Sequence, residues 1–465
     1  MESVRELYLN PYYYTKYYMK KLLVLLSIVL SFTFLKAQEA LSIAQAIELG
    51  IQNNYQVEIA RKDLQKAENN NVWGATGRSP RLDFNINSRN GFTNARSPGF
   101  LLEQSSLNVG ITPSVDASWT IYDGNKAKIT KRQLEGLEQQ SKTNISTTIE
   151  ATVQAVILAY NQALIQEEQL KTLREVLTLS RDRIEYQEIR KEFGQAGKFD
   201  LLQTQDAYLN DSTSILIQEN NLATAFRNLN LAMGEDNLTK TYLLTDELTY
   251  EFTNYSLEDL EQTMFSNNQN LQNLIIVREL TNINTQFQES FNKPTISLGS
   301  GLSYDLTGIN GSQLLAIGDQ PPFRNENDGT NRTFNFYFNI QANYNLFDGG
   351  QRKRNIENAK IDELIAQLNI NDLKRNLSNQ LQNALANYNN QLQLVELTEN
   401  LIANARENLN IGEERFKGGL ITSFDYRSIQ LAFINASQAR LNAVFNLKNT
   451  EVELMRLTGA LVTKE

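Results

Sequence analysis

From Thr333 to Leu346 apolar and polar residues alternate without a slip. Phe334, Phe336, Phe338, Ile340, Ala342, Tyr344 and Leu346 fall on one side of an extended chain, and Asn335, Tyr337, Asn339, Gln341, Asn343 and Asn345 on the other. The thirteen residues from Phe334 to Leu346 would span roughly 43 Å as a strand, against about 5 to 6 residues for a strand of an ordinary globular domain. The run then stops at Asp348-Gly349-Gly350. A strand of that length with one wholly apolar face needs an equally long apolar surface beside it, either a protein core or a hydrocarbon layer.

The strand is part of a chain written twice. "SIAQAIELGIQNN" from Ser42 matches "SLEDLEQTMFSNN" from Ser256 at an offset of 214, which still holds where "RSPRL" around Pro80 meets "NKPTI" around Pro294. Farther on, "WTIYDG" matches "YNLFDG", "GQAGKFD" matches "GLITSFD" and "LNLAMG" matches "LMRLTG", all at 225. The difference of 11 residues is an insertion in the second copy, and "TGINGSQLLAIGDQPPFRNENDGTNR", rich in Gly, Asn and Pro, reads as the loop that holds it. Each copy has one order. A helix from Ser42, its N-cap, to about Asn71 is followed by a β-hairpin, in which Leu82, Phe84 and Ile86, then Val115, Ala117, Trp119 and Ile121, alternate with polar residues. From Asn125 to Glu192 there is no proline, and Ile149, Val156, Ala163, Leu170, Leu177 and Ile184 recur every seven residues as a coiled-coil seam. The second seam, Leu381, Tyr388, Val395, Ile402 and Leu409, lies 225 after its counterpart. Unbroken, 68 helical residues reach roughly 100 Å. Glycine-containing turns at Gly194 and Gly419 then lead into returning helices. The expected division is 1–37 as upstream sequence and signal peptide, 38–235 as the first repeat with its hairpin over about 81–122, 236–255 as a connecting belt, and 256–465 as the second repeat with its hairpin over about 295–347.

Composition removes whole classes of function. With no cysteine and no histidine among 465 residues, thiolate and imidazole metal sites, Cys or His catalysis, haem ligation and disulfides are excluded. A net charge of −9 and a pI near 5.0 speak against a nucleic-acid partner, and no cofactor is expected. Met19-Lys20-Lys21, fourteen uncharged residues from Leu22 to Leu35 and the small residue Ala37 read as a secretory signal peptide with cleavage before Gln38 and Met19 as the start, with an N-terminal anchor as the competing reading. No later segment approaches the roughly 20 apolar residues that a membrane-spanning helix needs.

A soluble helical protein could carry such hairpins on its core, as a secreted or periplasmic coiled-coil scaffold. The signal peptide, the lack of a spanning helix, the aromatic-rich apolar faces and the uniformly polar opposite faces together favour outer-membrane strands, with lipid on one side and water on the other. Phe334, Phe336, Tyr344, Phe347, Trp119 and Tyr122 are then expected near strand ends, as interfacial girdles. Four strands per chain cannot close a barrel; two chains supply eight and three supply twelve, and only the latter leaves an open lumen. A secreted hydrolase would need a convergent acid pair or an activated nucleophile, and none stands out.

The ordered set of motifs resembles the TolC-type outer-membrane efflux protein family over essentially the whole mature chain. It comprises the aromatic-Asp-Gly steps "IYDGN" and "LFDGG", the prolines between helix and strand, a Gly followed six residues later by Asp at each helical turn, and the duplication. The resemblance implies a mainly α fold with a transmembrane β-barrel portion: long coiled-coil helices as a periplasmic tunnel, and four strands per chain contributed to a twelve-stranded barrel of a homotrimer. It implies an outer-membrane duct without catalytic residues, set in outer-membrane lipid, that works with a periplasmic adaptor protein and an inner-membrane transporter. Carried over by motif, Asp200 and Asp425 are gate candidates, with helix capping as the competing role. Gln203 and Ser428 stand where a family member carries a second aspartate. Gly194 and Gly419 are the tip turns. Pro80, Pro294, Asp123, Gly124, Asp348 and Gly349 mark the helix–barrel junctions, Asp123 and Asp348 being read as N-caps rather than pore ligands. Phe334, Phe336, Phe338, Ile340, Tyr344 and Leu346 form the lipid-facing strand.

Overall fold

The computed structural model describes residues 39–461 apart from 97, 99 and 100; the expected signal peptide, over 1–37, lies outside the described residues. The chain divides into two compact units.

One unit gathers the residues up to Asn54, Thr152–Thr253 and Tyr388–Glu451. It begins with β1 (Glu39–Leu41) and α1 (Ile43–Asn53). Ser42 caps α1 in both directions: its hydroxyl accepts from Gln45 N at 3.3 Å and its own amide donates to Gln45 Oε1 at 2.9 Å. The rest is helical, from α3 (Lys126–Glu192), α4 (Lys198–Met233), α7 (Gln351–Lys417) and α8 (Ser423–Thr458). The connecting belt supplies β4 (Tyr242–Leu244), which pairs in parallel with β1. Leu41, Ala46, Val156, Tyr160, Leu229, Met233 and Tyr242 form the core beneath this pair. The Tyr160 hydroxyl lies between two acceptors, Leu41 O at 2.8 Å and Asp246 Oδ2 at 2.6 Å, and donates its one proton there.

The other unit gathers Tyr55–Ala151, Asn254–Asn387 and the chain from Val452. It holds α2 (Tyr55–Asn70), α5 (Leu257–Asn267), α6 (Gln269–Ser290) and an antiparallel sheet of four strands in the order β2-β3-β5-β6. These strands are β2 (Arg81–Arg96), β3 (Leu101–Tyr122), β5 (Thr295–Leu315) and β6 (Phe323–Asn343).

The duplication is literal. α3 and α7 are both 67 residues long, α4 and α8 both 36, and each pair starts 225 apart. Three expectations need correction. The helix expected from Ser42 to about Asn71 breaks at Asn54, where ψ is 122°, and its counterpart breaks at Asn268. The glycine that ends each returning helix sits against the break: a Cβ on Gly234 (φ 71°) would lie 2.7 Å from Asn53 O, and one on Gly459 (φ 70°) 2.7 Å from Asn267 O. Asn268 completes the joint, accepting from Leu271 N and donating to Leu457 O, both at 3.0 Å. The "LNLAMG" and "LMRLTG" motifs therefore end a helix and seat a helix joint at once. Second, the first seam holds only in part: Val156, Ala163 and Leu170 are buried, but Ile149, Leu177 and Ile184 are half-buried, and Val176, Ser180, Arg183 and Gln187 take their place, whereas Leu381, Tyr388, Val395 and Leu409 of the second seam are all buried. Third, most of the inserted "loop" is strand. β5 continues through Thr307–Leu315 and β6 starts at Phe323, so Phe334 and Phe336 lie in mid-strand rather than near its end.

Channel wall, junctions and tip turns

The sheet has two chemically distinct faces. Cross-strand registers align Leu82 and Phe84, Val115 and Ala117, Leu298 and Leu302, and Phe336 and Ile340 on one of them. These side chains point out of the chain: Phe334, Phe336, Phe338 and Ile340 are 61–67% exposed. Their band on β6, Phe334 to Ala342, is roughly 26 Å long, the height of an outer-membrane apolar belt of about 25 Å. Beyond it the same face of β6 turns to Arg332, Asp328, Glu326 and Arg324, so the inserted residues lengthen the strands past the apolar band. Tyr344 and Leu346, assigned to the strand from sequence, lie beyond it. Asn345 Oδ1 accepts from Phe347 N at 3.1 Å in a local turn that ends the extended run, although both side chains stay exposed.

The opposite face is tied together by hydrogen bonds that alternation alone does not reveal. Asp116 accepts from Ser114 (2.9 Å), Asn85 (3.3 Å) and the Tyr337 hydroxyl (2.9 Å). Tyr337 reaches Asp116 across Gly301, where an added Cβ would lie 2.5 Å from the ring. Asp305 accepts from Thr112 Oγ1 at 2.6 Å and Asn335 Nδ2 at 2.7 Å. Glycine in β5 opposite a large polar residue in β6 was the available signal.

At each strand-to-helix junction two consecutive residues adopt the left-handed conformation: Gly124 and Asn125 (φ 73° and 76°), then Gly349 and Gly350 (φ 64° and 81°). Asparagine tolerates that region better than other non-glycine residues, which explains "DGN" beside "DGG". Asp123 Oδ2 accepts from Ala127 N at 2.7 Å, and Asp348 from Gly350 N (3.0 Å), Arg352 N (3.1 Å) and Arg352 Nε (2.8 Å). Both carboxylates thus satisfy free amides at a helix start. A Cβ on Gly124 would meet Ser290 O and Lys293 Cβ at 2.8 Å, so the exit of the first hairpin is packed on the helix end that precedes Pro294. Pro80 and Pro294 directly precede β2 and β5, where a missing amide costs no ladder bond.

At the tip turns Gly194 and Gly419 have φ of 72° and 71° and open space where a Cβ would stand. Asp200 Oδ2 accepts from Gly197 N at 3.0 Å. Asp425 Oδ2 accepts from Thr422 N (3.0 Å) and Thr422 Oγ1 (2.7 Å), and that hydroxyl accepts in turn from Asp425 N (3.1 Å). The Thr422 hydroxyl and amide hold the Asp425 carboxyl below its ordinary range. Both aspartates line one hollow with Gln187, Arg190 and Thr422. Among the described residues no three acidic, His or Cys side chains converge as a metal site, and no helix is long and apolar enough to cross a membrane.

Solved structures that share this architecture include outer-membrane channels. The Campylobacter jejuni CmeC outer membrane channel matches with a TM-score of 0.72 at 16% identity, over 90% of this chain and 85% of that one. The outer membrane protein VceC of Vibrio cholerae gives 0.68 at 14%, over 90% and 96%, and the Neisseria gonorrhoeae MtrE outer membrane channel in its open state 0.65 at 15%, over 90% and 89%. No curated protein matches in sequence. The sequence pattern of outer membrane efflux proteins matches twice, at residues 35–235 and 260–460, once for each copy of the duplication. With both halves matched, the chain belongs to the outer membrane efflux protein family, whose members serve efflux at the outer membrane rather than catalysis.

Proposed function

We propose that three copies of this chain close one twelve-stranded barrel and act as the passive exit duct of a tripartite efflux system. The observation that carries this reading is the four-stranded sheet, apolar outside, hydrogen-bonded and polar on its other face, with β2 and β6 left as free edges. In hydrocarbon every unpaired backbone group costs several kcal/mol, so each edge must meet another chain. Eight strands would be filled by their own side chains, whereas twelve leave a lumen. The duplication even supplies the register. Ser118 of β3 pairs with Gly299 of β5; moving the first forward by 225 and the second back by 214 sets Asn343 of one copy opposite Asn85 of the next.

In this reading the chain works as two repeats, 38–235 and 256–465, joined by the belt 236–255. The 67-residue helices continue the duct through the periplasm towards an adaptor and an inner-membrane transporter, which supplies the energy. Asp200 and Asp425 cap their helices with one carboxylate oxygen and ring the tip with the other, and six such groups in one constriction favour cations and resist closing.

In planar bilayers the purified protein is expected to conduct with cation preference, and Asp200→Asn with Asp425→Asn to raise conductance and weaken that preference. An unchanged current and selectivity would leave the aspartates as caps only. A chain recovered wholly in the soluble fraction, with no heat-sensitive oligomer on an unboiled denaturing gel, would overturn the duct.

A further inference from the structure

The helical unit buries a charged cluster that its own seam does not need. On α3, Ser180, Arg183 and Gln187 are at most 2% exposed. Asp211 of α4 is clamped by both terminal nitrogens of Arg427 from α8, at 2.6 and 2.8 Å, and takes a third hydrogen bond from Ser180 Oγ at 2.6 Å. Arg183 donates to Gln430 Oε1 of α8 at 3.2 Å. Its charge has no carboxylate of its own; burial, and Arg427 beside it, bring the guanidinium down to about 10 against the pull of Asp211. Arg183 Nε and Gln187 Oε1 are buried without a partner. A half-satisfied polar cluster stabilises less than the apolar packing around it, so stability does not explain it.

The duplication points to what does. At the positions 225 away, Ser180 is matched by Ala405, Arg183 by Asn408, Gln187 by Gly412, Asp211 by Ala436, Tyr426 by Leu201 and Arg427 by Leu202. Ala405 and Ala436 sit in an apolar cluster with Phe433 and Val176. Half of the cluster is thus on the first helical arm and half on the second, and neither arm carries both. If a first arm packed on a first arm, Asp211 would face Leu202; if a second packed on a second, Arg427 would face Ala436. Either arrangement buries an unpaired charge.

We infer that the Ser180–Asp211–Arg427 cluster is a pairing key that makes first and second arms alternate, so that arms of equal length and similar seam do not assemble first-on-first or second-on-second. This rests on the three-copy reading, because only an assembly of several copies offers like arms to one another.

The chain has no cysteine, so introduced pairs report cleanly. Thr172 and Ser437 touch across the arms, hydroxyl to hydroxyl at 3.0 Å, and Ser212 is the first-arm counterpart of Ser437. With the key intact, T172C/S437C closes within one chain and T172C/S212C gives no disulfide between chains. Giving each key residue its counterpart's identity, Ser180→Ala with Asp211→Ala and Arg427→Leu, is expected to produce T172C/S212C dimers on a non-reducing gel. If this variant still crosslinks only through 172 and 437, the key is not needed and the inference fails. If it aggregates, charge reversal decides: Asp211→Arg and Arg427→Asp should each lose the 172–437 crosslink and the double variant regain it, and a double variant no better than the singles overturns the inference. The three-copy reading fails separately, if Asn85→Cys with Asn343→Cys never links three chains.

Discussion

The two repeats build the same helices at the same spacing, yet their hairpins and their buried chemistry differ. Equal helix lengths follow from repeated end signals: Asp123 and Asp348 at the starts of α3 and α7, Gly194 and Gly419 at their tips, Gly234 and Gly459 where the returning helices end. The second hairpin is longer only beyond the apolar band, where the outward face of β6 becomes charged. Duplication has preserved what sets length and turning, and left free whatever distinguishes one arm from the other.

The comparison breaks most severely if lipid and water faces are exchanged. Arginine at a lipid-facing barrel position costs about 2–4 kcal/mol near the bilayer centre, and three copies would carry it. Phe336→Arg should therefore abolish the heat-sensitive oligomer on an unboiled gel, while Asn335→Arg, one residue away on the polar face, should keep it. Equal loss in both would mean that the two faces are not in different solvents.

A smaller effect compares glycines within each repeat. An alanine in the left-handed region costs roughly 1–2 kcal/mol. At Gly234 and Gly459 it would also collide with a backbone oxygen at 2.7 Å, whereas at Gly194 and Gly419 nothing stands within 4 Å. Thermal unfolding should show a larger drop for Gly234→Ala and Gly459→Ala than for the two tip substitutions, with matching values inside each pair. Equal drops at joint and tip would remove the helix joint from the account.

The smallest effect separates the two tips. Thr422 bonds hold the Asp425 carboxyl below the ordinary aspartate range near pH 3.9. A depressed carboxyl adds stability that is present above the unfolded pKa and lost as the pH falls through the folded one. Acid should therefore loosen the start of α8 only below about pH 4, and Thr422→Val should raise the midpoint at which hydrogen exchange in the second tip turn accelerates. An unchanged midpoint would show that Thr422 does not hold this carboxylate.

Much of this could be read from residue order alone. Alternation located the exposed apolar face from Phe334 to Ile340, and the motif offsets placed both long helices. The strands beyond the apolar band were missed because polar residues and glycines predominate on both of their faces there, which erases the period of two on which strand detection depends. The break at Asn54 carries neither proline nor glycine; the glycine packed against it, which closes the returning helix, lies 180 residues away at Gly234. Arg183, Asp211 and Arg427 were invisible because charges in a helix read as its solvent side until a partner helix covers them. At the tip, the Gly-to-Asp spacing found Asp200 and Asp425, but only the folded structure separates a simple cap at Asp200 from the reciprocal one at Asp425.

Closure by three copies is tested most directly in the cysteine-free chain by Asn85→Cys with Asn343→Cys, oxidised in intact outer membranes and run under denaturing, non-reducing conditions. The account predicts a covalent trimer, with dimer only as an intermediate, and no crosslink from either single variant beyond a chance dimer. A reaction that stops at the dimer, or no crosslink between these two positions, would contradict it.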